Sequence, residues 1–394
     1  DLSDKELKIK ILKNGVEVFQ DSEKKLDVAP QESRKIQINN FPDINDSAKE
    51  YILEISLVQK NNSPLIPQGY EVAWDQFVLQ KGAFGPAPTT AGTMMTIKES
   101  GETIIMANDE VHLEINGKSG EIISWIFKGN NITDQSIRPN FWRPPTDNDL
   151  GNGMHEWAKI WQDASYNYTA RLLAQPSISN TGIEFKVAYM LPNNEAEVTA
   201  DYKIFATGTL SINYYFEPNH KSLPVIPRLG MYLILPKDYT EVSWYGKGPT
   251  ESYWDRKTGL KIGIHKGKVE DQFHRYMRPQ ETGNKTEVRW MQLTSNELIL
   301  TLESNVLLNS SVWPFGMKEI DFKSDQAGVS ASGLVPVTKR HGADIKLGKS
   351  VQWNIDLLQM GVGGDNSWGS KVHDEYTIHP IPYSYSFSIE PTMR

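Results

Sequence analysis

A chain of 394 residues with 39% hydrophobic and 23% charged residues has globular values, which excludes a disordered or low-complexity protein and leaves room for two or three domains. A formal net charge of -8 without a Lys/Arg cluster argues against a nucleic-acid partner, and no apolar run approaches bilayer-spanning length, so no membrane partner is expected. The absence of cysteine excludes disulfides, thiol nucleophiles and thiolate zinc sites, and leaves a cytoplasm and an oxidising periplasm equally open.

The chain opens with Leu7, Ile9 and Ile11 alternating against Lys8 and Lys10. That is a strand already under way, so the expectation is a chain cut from a longer polypeptide. Residues 1–80 are strand-rich up to Trp74–Leu79, and a block of under about 100 residues with several short strands suits a small immunoglobulin-like β-sandwich. Gly82 to Gly92, with Gly85-Pro86-Ala87-Pro88 inside it, reads as a linker assigned to residues 81–96. From 97 to 394 the alternation recurs at Val111-Leu113-Ile115, Ile183-Phe185-Val187 and Leu210-Ile212-Tyr214, between Asn/Gly/Pro/Asp turns. No comparable break follows, so this region reads as one large antiparallel domain of two packed sheets. The best helical segment is short, Met154–Trp161, starting at Asn152-Gly153 with Trp157 and Trp161 four apart on one face. The fold class is therefore all-β with few short helices. Asn-X-Ser/Thr triplets at Asn45, Asn131, Asn167, Asn284 and Asn309 reflect an Asn-rich composition rather than glycosylation.

Four polar, aromatic-rich blocks stand out in the large domain. Asn140 to Gly151 contains Asp147, Asn148 and Asp149, oxygen ligands for a hard cation such as Ca²⁺ or Na⁺, but it lacks the acidic count of a dedicated calcium loop. The expectation there is a capped turn leading into the Trp157 helix. Trp244 to Arg256 holds Glu251 and Asp255, a carboxylate pair of the kind that works on glycosides. Arg256 beside Asp255 would keep that carboxylate ionised, so a salt-bridged turn is the better reading. Tyr276 to Trp290 sets Glu281 among Arg278, Lys285 and Arg289, ordinarily a structural clamp, although polar and aromatic loop residues also make carbohydrate-binding faces. In Met360 to Gly369, Gly361, Gly363 and Gly364 allow tight backbone, and Asp365, Asn366 and Ser367 favour turns. Trp368 ends this polar bend, either as a plug in the core beneath the loop or as a platform presented to something else. His373-Asp374-Glu375 follows; adjacent residues of a strand face opposite ways, so no metal is expected there. There is no Gly-X-Ser-X-Gly elbow, phosphate-cradling glycine loop or His-Glu-X-X-His, and the eight histidines lack ligand spacing.

These blocks, in this order, resemble the C-terminal part of the large β-galactosidases of glycoside hydrolase family 2. Phe141-Trp142-Arg143-Pro144-Pro145-Thr146-Asp147-Asn148-Asp149 is similar to the signature near the start of that family's last domain, with Pro144 where Ala is common. Gly248 to Arg256, Pro279-Gln280-Glu281-Thr282-Gly283 and Met360 to Trp368 resemble three further family blocks, and Leu26 to Gln31 resembles part of its penultimate, immunoglobulin-like domain. The resemblance implies a small sandwich followed by a galactose-mutarotase-like supersandwich, and no catalytic residue in this chain, because the family's two glutamates sit on a TIM barrel upstream. It implies that Trp368 forms an aglycone-side platform, with Asp365 and Asn366 as substrate-binding candidates beside it. It also implies no cofactor here, with Mg²⁺ and Na⁺ belonging to the absent barrel. The partners it implies are that barrel, a galactoside substrate and further copies of a homo-oligomeric parent enzyme. A rival reading is a self-standing carbohydrate-binding module, with Asp147, Asn148, Asp149, Arg278 and Glu281 facing carbohydrate alongside Trp368. A third, mutarotase activity, rests on fold analogy alone. Linkage and aglycone specificity, including a glycan longer than lactose, stay open.

Overall fold

In the computed structural model the described residues are 1–85, 92–133, 135–323, 327–329 and 336–394. Pro86, Ala87 and Pro88 of the expected linker lie outside them. The chain divides into two units, Asp1–Phe84 with Lys261–Ile264, and Gly85–Leu260 with His265–Arg394.

The opening alternation forms the strand Lys5–Lys13, which buries Ile9 and Ile11. It pairs antiparallel with Val16–Glu23 on one side and Tyr51–Gln59 on the other, and Glu71–Gln80 completes a four-stranded sheet. Asn14 and Gly15 turn the first hairpin with φ of 48° and 80°, the positive values that match the twist of a two-residue loop. The stretch 24–50 has no strand and contributes the buried Leu26.

The second unit starts with a five-stranded meander, from Thr96–Ser100 to Asn130–Thr133. A twelve-stranded antiparallel sheet follows. Its long strand Leu298–Trp313 pairs on one side first with Tyr383–Met393 and then with Ser350–Gln359. One strand thus serves two successive neighbours, and strand order here is far from sequence order. Between the layers lies one continuous apolar core, into which Trp125, Trp142, Trp161, Trp244, Trp313 and Trp353 are fully buried. The alternating strands at 111–115, 183–187 and 210–214 each send their apolar residues into it.

The helix expected over Met154–Trp161 starts after Gly153 as expected but is two short ones, α2 (Met154–Trp157) and α3 (Lys159–Tyr166), preceded by α1 (Asp147–Gly151). Gly153, left-handed at φ 77°, separates α1 from α2, and Ala158 breaks α2 from α3. Trp161 is buried in the core and Trp157, half-buried, packs against its margin.

Candidate functional site

The first block is a capped turn. The Thr146 hydroxyl accepts from the Asp149 amide at 3.1 Å, and the Asp149 carboxylate accepts from the Thr146 amide at 3.0 Å, a reciprocal cap on α1. Both Asp149 oxygens also accept from Arg143 Nη2 at 3.0 Å, while Arg143 Nη1 donates to the Met360 carbonyl at 2.5 Å. Arg143 and Asp149 are buried, so Asp149 does not face carbohydrate; removing either partner would strand a buried charge. Asp147 stays partly exposed, held by Arg278 at 3.2 Å and Gln280 at 3.1 Å. Two acids each committed to an arginine do not make a cation site. Among the described residues no group of three His, Asp or Glu side chains could hold a metal ion.

Asn148 ties this block to the fourth. Its Oδ1 accepts from the Gly369 amide at 2.8 Å and its Nδ2 donates to the Ser370 carbonyl at 2.9 Å. At the other end of the loop the Asp255 carboxylate accepts from the amides of Val362 at 3.1 Å and Gly363 at 2.6 Å. Gly369, at φ 102°, packs so close to Gly151 that an added Cβ would lie 2.3 Å from the Gly151 carbonyl carbon. No other residue fits there. Inside the loop Asn366 Oδ1 accepts from the Trp368 amide at 2.9 Å, and Asp365 lies 2.7 Å from His373 Nε2. That contact with Asp365, reinforced by Glu375, raises the His373 pKa. Asp365 and Asn366 thus both shape the bend. Trp368 stands on it with 82% of its surface exposed. The residues after it form a short 3₁₀ turn, Asp374–Tyr376, instead of the strand expected at His373-Asp374-Glu375.

The carboxylates of the middle blocks are fully engaged. Glu251 accepts from Arg256 at 2.5 Å, the Gly283 amide at 2.7 Å, the Thr282 hydroxyl at 3.1 Å and the Tyr276 hydroxyl. Burial alone would raise its pKa, but the Gly283 amide, Tyr276 and Arg256 outweigh burial and hold it below the usual range. Arg256 thus pairs with Glu251 and leaves Asp255 to the loop amides. Glu281 is not clamped by Arg278, Lys285 and Arg289. Arg278 sits on Asp147, Lys285 lies over the Trp244 ring at 5.0 Å, and Arg289 lies over the Tyr245 ring at 5.2 Å. The partner of Glu281 is Arg228, 3.2 Å from both its oxygens, and Arg228 Nε is also 3.2 Å from Asp356. All three side chains have no exposed surface, so Glu281 cannot offer its carboxylate to a sugar. One cation between two buried carboxylates leaves an excess negative charge. Burial pushes both acids up against the pull of Arg228, Asp356 to about 7.

Above this ionic layer the four blocks meet around a cleft of about 220 Å³. Asp147 and Asn148 come from the first block, Tyr253 and Arg256 from the second, Gln280 from the third and Ser367, next to Trp368, from the fourth. A larger hollow of about 470 Å³ near Tyr239 and Leu347 contains none of the blocks.

A family model described as β-galactosidase small chain matches residues 107–389, and one described as β-galactosidase, domain 4, matches residues 1–80. The chain belongs to the β-galactosidase small-chain family. It is similar to the β-galactosidase of Priestia megaterium, 32% identical over 390 residues covering 96% of this chain and 35% of that protein. It is likewise similar to that of Halalkalibacterium halodurans, 28% identical over 372 residues covering 92% of this chain and 34% of that protein. The chain thus spans about a third of the length of these relatives. Among solved structures, a galactose mutarotase related enzyme from Lactobacillus acidophilus covers 76% of this chain and 97% of its own at 9% identity, with a TM-score of 0.36. A likeness that distant carries no functional argument.

The blocks thus come together around one cleft, with Asp147, Asn148 and Ser367 at its rim, the buried Glu281 in its wall, Trp368 exposed next to Ser367 and Asp149 buried away from it. Arg228 and Asp356 were missed. A signal existed: Arg228 opens the otherwise apolar strand Arg228–Pro236, and Asp356 is the one charged residue of the strand Ser350–Gln359; inside a core only a buried partner makes such a charge tolerable.

Proposed function

We propose that this chain is the accessory C-terminal portion of a β-galactosidase, and that Trp368 is its contribution to the substrate cleft. The hydrolysis of terminal β-D-galactosides then takes place on a TIM barrel, against which this portion packs. The observation that carries the reading is a tryptophan 82% exposed on a loop fastened at both ends. A freely exposed indole on a mobile loop would lose ordering entropy on each binding event; a pinned one is already placed. Its flat face stacks on the apolar C–H face of a sugar, the aglycone side of the galactoside. The chain's own carboxylates lend themselves poorly to acid–base work, because Glu251 is held ionised by donors and Glu281 lies under Arg228. Mg²⁺ and Na⁺, in this reading, belong to the barrel, since Asp147, Asp149, Glu251 and Glu281 are each committed to an arginine. A homo-oligomeric parent enzyme is part of the same proposal.

The purified chain should not hydrolyse a nitrophenyl galactoside. Hydrolysis abolished by Glu251→Gln or Glu281→Gln would sink the proposal. In the full-length parent enzyme, Trp368→Ala should raise KM for lactose roughly tenfold, the equivalent of a lost aromatic contact of about 1.5 kcal/mol. An unchanged KM would remove the platform role.

A further inference from the structure

We propose that the cleft beside Trp368 is a saccharide subsite, seating one pyranose ring next to a ring stacked on the indole. This assignment rests on the platform reading and extends it to a substrate class, β-galactosides whose aglycone is itself at least two sugar units long.

Three observations lead there. The first is an unanswered hydroxyl. Tyr253 lines the cleft and is 2% exposed, and its Oη has no hydrogen-bond partner. A buried phenol left unpaired carries a desolvation penalty, which a ligand hydroxyl would relieve. The second is the balance of the lining. Asp147 is paired with Arg278 and Arg256 with Glu251, while Glu281 and Asp356 share Arg228 with no exposed surface, so the accessible lining carries no net charge to select an anion or a cation. What remains is a mixture of donors and acceptors: the Arg256 N–H groups, the Gln280 Oε1, the Asp147 oxygens and the Tyr253 hydroxyl. Such a set matches a neutral polyol, whose hydroxyls both donate and accept. The third is continuity. Ser367 lines the cleft and Trp368 is the next residue, so a chain of sugars crossing the indole runs on to this wall. About 220 Å³ takes one ring and leaves the remainder of an oligosaccharide outside.

The test is titration calorimetry of this chain with β-1,4-galactotriose, using the wild type and the Tyr253→Phe, Gln280→Ala and Trp368→Ala variants, with thermal melts of each. Galactotriose should bind, and Tyr253→Phe and Gln280→Ala should each weaken it about fivefold or more. Tyr253→Phe should melt no lower than the wild type, because it deletes a hydroxyl the free protein leaves unpaired. Should galactotriose fail to bind, or bind Tyr253→Phe and Gln280→Ala as tightly as the wild type, the subsite is wrong. The platform reading survives both results, since it operates against the barrel. Weakening by the cleft variants with no effect of Trp368→Ala keeps the subsite and removes the neighbouring ring stacked on the indole in this chain. The reverse pattern keeps the platform and overturns the subsite.

Discussion

The Trp368 loop and the ionic layer around Arg228 lie in one site and draw on the same kinds of residue, yet they are held in opposite ways. On the loop, Asn148 and Asp255 bond to backbone amides and carbonyls, at partly exposed positions where water can replace each bond. In the layer beneath, Arg228 is ion-paired with both Glu281 and Asp356, and none of the three has exposed surface. Side-chain clamps on backbone groups near the surface fix geometry at small energetic stakes. Buried charges carry large stakes whichever one is changed, because the low dielectric magnifies both attraction and imbalance.

The largest effect separating the two regions should come from Arg228→Met. It leaves two buried carboxylates without their cation, and a loss of about 3–5 kcal/mol in denaturant unfolding is expected. A loss under about 1 kcal/mol would mean that the layer is wetter than its burial implies.

The second effect is pH dependence. Burial, with Glu281 reinforcing and Arg228 opposing, lifts Asp356 to about 7. Between the ordinary aspartate range and that value the folded chain keeps a proton that the unfolded chain has lost. Stability should therefore fall as pH rises through this window, by about 2 kcal/mol between pH 5 and 7.5. Asp356→Asn should flatten that slope while Glu281 and Arg228 remain as a balanced pair. An unchanged slope would place the titration elsewhere.

The third, smaller effect is on the loop. Gly369→Ala adds a Cβ where the backbone is left-handed and the Gly151 carbonyl is in the way, at a cost of about 1–3 kcal/mol. Hydrogen exchange should show faster opening confined to residues near 362–370, with the sheets unaffected. Global loosening would make the loop part of the core.

The smallest effect on stability should be that of Trp368→Ala. An indole 82% exposed has little burial to lose, so unfolding should shift by within about 0.5 kcal/mol. A larger shift would return Trp368 to the role of a plug, the alternative its sequence context left open.

How much of this was legible in the sequence depends on the range of the signal. The all-β class, the strands at 111–115, 183–187 and 210–214, and the cap on the Asp147 turn depend on neighbours a few residues apart, and alternation and turn chemistry write such neighbours directly into the chain. So does the choice of residues for the Trp368 bend. The helix at Met154–Trp161 starts where Asn152-Gly153 places it, but two aromatics four apart carry the helical period across Ala158, where the chain breaks it in two.

Partnership among the charges was decided by the fold alone. The sequence places Arg278, Lys285 and Arg289 near Glu281, but its partner Arg228 is 53 residues away, and Asn148 reaches across 221 residues to Gly369. Strand order in the twelve-stranded sheet makes those distances short. That order is set by which apolar faces close the core, a property of all the strands at once. Sequence by itself determined that a tryptophan would sit on a tight polar bend; the tertiary structure determined that the bend is pinned from both sides and points its indole outward.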